Sequence, residues 1–195
     1  MAQVEIYDTT LRDGTQREGI SLTVGDKLKV AKLIDGLGVA YVEGGWPGSN
    51  PKDDEFFARA RDELTLENAQ LVAFGATRKV GGTAEDDPQL AALLAAGTEV
   101  ICIVGKAWDY HVTEALRTTL DEAVSMVADS VAYLRSQGRR VFFDAEHFFD
   151  GYRTNRDFAM AVLEAAHTAG AERLVLCDTN GGTLPDRVTQ VVGEV

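Results

Sequence analysis

Six short apolar runs punctuate the chain, separated by stretches in which apolar residues recur every three or four positions. The runs are VEIYDTT (4–10), VAYVEGG (39–45), AQLVAFGATRK (69–79), EVICIVGKAW (99–108), RVFFDAEHFFDG (140–151) and RLVLCDTNGG (173–182). Each is dense in Val, Ile, Leu or Phe with little alternation, which is how strands covered on both faces read. The intervening spacing predicts helices. Val30, Leu33, Ile34 and Leu37 stand at i, i+3, i+4 and i+7 over 25–37. Leu116, Leu120, Val124, Val127, Val131 and Leu134 form one long stripe over 113–137, and Phe158, Ala161, Val162 and Ala165 repeat the pattern over 155–169. Shorter helices are expected at 52–64 and 87–96, with Pro51 and Pro88 near their starts, where a missing N–H costs little.

One punctuation recurs: GLG at 36–38, AAG at 95–97, SQG at 136–138 and TAG at 168–170 each close a helix and precede a strand. Glycine just past a helix end supplies a left-handed cap. Helix, glycine, strand, repeated, is the βα unit of a parallel sheet. The pattern gives six strands and then LPDRVTQVVGEV, the start of a sixth helix. Length alone favours an open doubly wound sheet, since a (β/α)8 barrel wants eight strands and about 250 residues. The residues at the strand ends reverse that preference. Asp8, Arg12 and Asp13 end strand 1, Glu43 strand 2, Thr77, Arg78 and Lys79 strand 3, and Lys106 strand 4. Asp144, Glu146 and His147 lie on strand 5, and Asp178, Thr179 and Asn180 follow strand 6. A rim supplied from every strand is how a barrel active site is built. The chain has no Gly-rich phosphate fingerprint of either common type. The expected fold is α/β, a (β/α)8 TIM barrel present as about six βα units.

The formal net charge of -12 argues against nucleic acid or an anionic membrane as a general partner. No apolar run approaches the roughly 20 residues that span a bilayer. MAQVEIYD lacks a basic n-region and an apolar h-region, so no signal peptide is expected and the cytoplasm is the expected location. Cys102 and Cys177 lie in apolar runs, are expected as buried thiols, and have no zinc spacing.

DTTLRDGTQ, followed by ten residues and then Lys27, resembles the strand-1 signature of the alpha-isopropylmalate synthase superfamily. That group holds isopropylmalate, homocitrate and citramalate synthases, with hydroxymethylglutaryl-CoA lyases as more distant relatives. YVEGGWPGSNPKD (41–53) and FDAEHFFDGY (143–152) are similar to the long citramalate-synthase branch. The resemblance covers essentially the whole chain. It also exposes an absence: the family's H-x-H pair at strand 7 has no counterpart among His111, His147 and His167. Residues 1–195 are therefore expected to be the N-terminal part of a catalytic barrel, ending before strands 7 and 8.

The resemblance implies roles. Asp13 would ligate a divalent metal (Mg, Mn or Zn), where the plainer reading is a loop aspartate or helix cap. Arg12 would face the ketone oxygen of a 2-oxo acid and support the alkoxide. Gln16 would hydrogen-bond the substrate or metal shell. Asp8 would orient Arg12 or a backbone turn. Glu43 would lie near the substrate, or else pair with Arg12 or Lys79. Glu146 is the acid/base candidate, because burial would raise its pKa, with a structural ion pair as the alternative. Asp144 shares its face of a regular strand and would line the oxo-acid pocket, while His147 points away as a wall residue. Thr179 would bind the substrate carboxylate. Arg78, Lys79 and Lys106 would meet the phosphates of coenzyme A, or simply be solvated. Trp46 and Trp108 are expected in packing, with the wall of a pocket as the alternative.

The implied reaction is a Claisen condensation of acetyl-CoA with pyruvate, giving (R)-citramalate and CoA in branched-chain amino-acid biosynthesis. The alternatives are the same chemistry on 2-oxoisovalerate or 2-oxoglutarate, a lyase or aldolase on the same barrel, and a fragment without activity. A homodimer is expected, with isoleucine feedback as a family trait.

Overall fold

The computed structural model describes residues 4–195, so the first three residues of the N-terminal stretch lie outside it. It resolves into two units. One takes the chain up to Gly75 together with Pro88–Cys102, and the other takes Ala76–Asp87 together with Ile103–Val195.

In the first unit, β1 (Tyr7–Asp8), β2 (Tyr41–Gly45) and β3 (Gln70–Ala76) are parallel and adjacent in chain order. Tyr7 registers with Tyr41, and Val42 with Leu71. Every residue of β2 is buried, as its unbroken apolar run predicts. Helices α1 (Val24–Asp35), α2 (Pro51–Glu63) and α3 (Pro88–Ala95) complete this unit. Thr23 caps α1 in a reciprocal box with Asp26, and Asn50 caps α2 ahead of Pro51.

The second unit holds β4 (Val100–Lys106) from Ile103 onward, β5 (Arg140–Glu146) and β6 (Arg173–Leu176). Thr77, directly after β3, donates its N–H to Val104 O at 3.2 Å, and Ala107 N–H donates to Glu146 O at 3.1 Å. β5 and β6 pair in parallel, with Phe142 beside Arg173. Strand order thus follows chain order, without the reversal that marks a doubly wound sheet. The helices here are α4 (Asp109–His111, running on as a wider turn to Leu116), α5 (Leu120–Ser136), α6 (Phe148–Thr154), α7 (Arg156–Thr168) and α8 (Pro185–Glu194). All four expected cap glycines, Gly38, Gly97, Gly138 and Gly170, have positive φ.

Several sequence expectations are corrected. Strand 1 is only two residues long, and Val4 is 88% exposed, because an Asx turn starts at Asp8 and the ladder to β2 covers one edge. The buried face of α1 is Val24, Lys27, Leu28, Ala31 and Ile34, while Leu33 and Leu37 face solvent. The stripe is rotated because Lys27 goes inward to meet Asp53. The long helix over 113–137 is broken at Arg117, which is left-handed, and restarts at the Thr119 cap. The fifth run is not one strand to 151: β5 stops at Glu146, His147 turns left-handed, and FFDGYRT is helix α6. That turn removes the alternation from which His147 was placed on the opposite face. β6 is half-exposed along its length, unlike its neighbour β5. Cys102 is buried, but Cys177 is only partly so.

Close packing makes one glycine a test of this arrangement. A Cβ on Gly151 would sit 2.0 Å from the backbone oxygen of Ala107, an atom that cannot step aside. Gly151→Ala is expected to cost about 3 kcal/mol in urea unfolding, whereas Gly182→Ala, with open space around it, should be near neutral. Equal midpoints for the two variants would contradict the packing of α6 on the β4 end.

Candidate active site

The charged cluster after β1 is a folded turn. Asp8 accepts from Thr10 N–H at 3.0 Å and from its hydroxyl at 3.1 Å, so its role is the backbone turn. Arg12 and Gly14 both donate their N–H to Thr9 O at 3.1 Å. Leu11 is fully buried beneath the turn and pins it. Arg12 and Asp13 therefore leave a rigid corner. Gln16 ends the short helical turn Gly14–Gln16 and is exposed.

Arg12 is clamped from three sides. Its Nε donates to Glu43 Oε1 at 2.5 Å, and its Nη1 lies 3.1 Å from Asp13 Oδ1. The guanidinium carbon stands 3.8 Å from the centroid of the Phe74 ring. Glu43 is fully buried, and its other oxygen accepts from Tyr7 Oη at 2.6 Å. A carboxylate without exposed surface needs such donors, because burying an unpaired charge is prohibitive. Glu43 thus underpins Arg12, the ion-pair arrangement, rather than opening onto free space. Asp13 carries a 62% exposed side chain.

A second pair, whose acidic partner sequence reading missed, braces the corner after β2. Lys27 is 2% exposed, and its Nζ meets Asp53 Oδ1 at 2.5 Å. The other Asp53 oxygen accepts from Trp46 N–H at 2.9 Å and Asn50 Nδ2 at 3.0 Å. A Cβ on Gly45 would fall 2.7 Å from the Asp53 carboxyl carbon, so glycine here admits the protein's own carboxylate. Burial pushes the Lys27 ammonium below its ordinary pKa, and Asp53 works against that. Trp46 Nε1 donates to Gln89 Oε1 at 2.5 Å, and its ring meets Phe74 edge-on at 5.2 Å. The legible signal was Asn50-Pro51 with an acid three residues after the cap.

In the second unit, Asp144 and Glu146 share one face of β5, both half-buried, as strand alternation predicts. Lys106 Nζ is in ion-pair contact with Glu146 Oε2. Thr179, exposed, accepts the His147 N–H at 2.9 Å. Asp178 binds Thr183 through its N–H and hydroxyl, at 3.0 and 2.8 Å. Arg78 is corrected as a coenzyme contact: it is buried, with Glu122 at 2.7 Å and Asp129 at 2.7 Å on its guanidinium. The Arg78 hydrogen bond holds Glu122 below the usual carboxylate pKa. Lys79 is exposed, and Lys106 is engaged by Glu146. Trp108, expected in packing, stands among His111, His147 and Tyr110.

The donor set does not amount to a metal centre. Asp13 offers one carboxylate, and among the described residues no group of three or more His, Cys, Asp or Glu is placed to hold an ion.

Removing Asp53 should be costly, since it strands a buried ammonium. Asp53→Ala is expected to lose about 3 to 5 kcal/mol in urea unfolding. Changing both partners, Lys27→Met with Asp53→Leu, should recover part of that loss. A double variant as unstable as Asp53→Ala would show that Lys27 is not the reason.

Comparisons with known proteins agree with this layout. The HMGL-like family model matches residues 3–195. The chain is 59% identical to an (R)-citramalate synthase of Streptomyces coelicolor over 97% of its own length and 36% of the relative's. It is 32% identical to a homocitrate synthase of Saccharolobus solfataricus, over 98% of the chain and 40% of that protein. It thus spans little more than a third of the length of these relatives. The crystal structure of the Bacillus subtilis HMG-CoA lyase superposes with a TM-score of 0.76 at 17% identity, over 98% of the chain and 63% of the lyase, which shows a shared fold. The strand order, the six βα units and the match from residue 3 to residue 195 place the chain in the HMGL-like family.

Proposed function

We propose that the protein carrying this chain condenses acetyl-CoA with pyruvate and water to give (R)-citramalate and CoA. The observation that carries this reading is the clamped Arg12, a cation fixed by the buried Glu43 and laid on Phe74. A guanidinium so held needs no reorganisation when negative charge appears on a ketone oxygen beside it. Pyruvate is favoured over larger 2-oxo acids by the much higher identity to a citramalate synthase than to a homocitrate synthase.

Glu146 is the proposed base. It takes a methyl proton from acetyl-CoA, and the carbon bears the released pair into the ketone carbon. The C=O pair moves to oxygen, where Arg12 supports it until that oxygen takes a proton, the equivalent of the one removed by Glu146. Water then cleaves the thioester. Thr179 is the proposed contact of the substrate carboxylate, Asp144 and Gln16 line the oxo-acid site, and Glu43 serves through Arg12. Asp13 is the carboxylate offered to a divalent ion, whose other ligands would come from beyond these residues.

We also infer that the chain is the amino-terminal portion of a longer barrel. Val175 on β6 is 40% exposed and Ile6 beside β1 is 60% exposed, edges that a further strand would cover. These 195 residues alone should therefore release little free thiol from acetyl-CoA with any oxo acid.

Free-thiol release by the complete protein, measured with pyruvate, 2-oxoisovalerate and 2-oxoglutarate, tests the assignment. Pyruvate should give the highest kcat/KM; if it is the poorest acceptor, the reading is wrong. Arg12→Lys should lower kcat by about 10²- to 10³-fold, the usual effect of removing one oxyanion donor.

A further inference from the structure

Tyr7 takes no part in the steps above, yet the chain holds it from both sides. It is the first residue of the two-residue strand β1. Just before it, Ile6 O accepts from Ala40 N–H at 3.0 Å and from Tyr41 N–H at 3.2 Å. Just after it, the Asp8 turn fixes the backbone. Tyr7 registers with Tyr41, and the two rings stand 6.0 Å apart at 34°. A ring anchored in this way has little freedom in where its hydroxyl points.

The hydroxyl points at Glu43. Tyr7 Oη donates to Glu43 Oε2 at 2.6 Å, and Arg12 Nε donates to Oε1 at 2.5 Å. Each carboxylate oxygen thus has its own donor, one neutral and one charged. Glu43 is fully buried, so water is not at hand to replace a donor that is lost. A carboxylate against a guanidinium favours a two-pronged fork, with both oxygens on one cation. Tyr7 holds the second oxygen away from that fork. Arg12 meanwhile keeps Nη1 on Asp13 and the Phe74 ring beneath it.

We propose that the Tyr7 hydroxyl is a positioning group for Arg12. By holding Glu43 Oε2, it keeps the guanidinium aimed at the ketone oxygen rather than drawn down onto the carboxylate. The inference rests on the condensation reading. Tyr7 acts through Glu43 and touches no substrate, and no bond forms or breaks on it. Without the hydroxyl, Oε2 is buried and turns towards the cation already on Oε1. The fork closes, and the N–H groups that would meet the oxyanion tilt towards Glu43. Support for the transition state weakens, while the contacts of acetyl-CoA stay as they were.

The test is Tyr7→Phe in the complete protein, which removes one oxygen atom and keeps the ring. With pyruvate, kcat should fall about tenfold, a smaller loss than removing an oxyanion donor outright. KM for acetyl-CoA should stay within about twofold, because only the transition state loses an interaction. In an Arg12→Lys background, Tyr7→Phe should lower kcat by less than about twofold, since the group it serves is gone. A role confined to stability would lower the unfolding midpoint and leave kcat per folded molecule at the wild-type value. That result overturns the proposal, and so does a loss of about tenfold that persists beside Arg12→Lys. Either one leaves the condensation reading standing. Should Tyr7→Phe not fold, Glu43→Gln supplies a background without the buried charge. There Tyr7→Phe should change kcat by less than about twofold, and a further loss of about tenfold overturns the proposal. If the wild type condenses no 2-oxo acid, the condensation reading fails and the proposal falls with it.

Discussion

Burying the Glu43 carboxylate is the constraint on which the first unit turns. A charge with no exposed surface must be met by donors, and the chain supplies Tyr7 from β1 and Arg12 from the turn after it. Those partners in turn fix the turn's geometry: Leu11 goes under, Asp8 closes the backbone, and Asp13 comes out to solvent. The pair is therefore poor evidence of stability for its own sake; under the proposed function it holds a cation for use. An aliphatic pair could fill the same space more simply, but it would present nothing to a developing oxyanion.

The corner after β2 repeats the device with the signs exchanged. There the buried group is the Lys27 ammonium, and Asp53 is the acceptor that also ties down Trp46. Trp46 rests against Phe74, the ring under Arg12. The Lys27 ammonium lies over Phe56, and its pair is linked to the ring under Arg12 only through Trp46. In the second unit, Lys106 with Glu146 is a half-buried version of the same theme.

Much of this was legible in the sequence, and the failures have physical causes. Apolar runs and cap glycines located the strands and the parallel arrangement, since both signals are local. The strand-1 signature placed Arg12 and Asp13 on one corner. What periodicity could not show was which face of α1 turns inward: apolar counting chose Leu33 and Leu37, and a buried lysine overrode it. Asp53, likewise, reads as an ordinary cap neighbour until Lys27 is seen against it. The end of β5 was misjudged because FFDGY is as apolar as a strand, and only the left-handed His147 stops it. Arg78 looked like a surface cation because its carboxylate partners, Glu122 and Asp129, lie more than forty positions away in sequence.

The central claim is that Glu43 exists to present Arg12 to the substrate. A double-mutant cycle on kcat/KM for pyruvate, using Arg12→Lys, Glu43→Gln and the pair in the complete protein, addresses it directly. The account predicts strong non-additivity, with Glu43→Gln nearly as harmful as Arg12→Lys and the double variant little worse than either. Additive losses would contradict it, showing that the two residues act on the reaction independently.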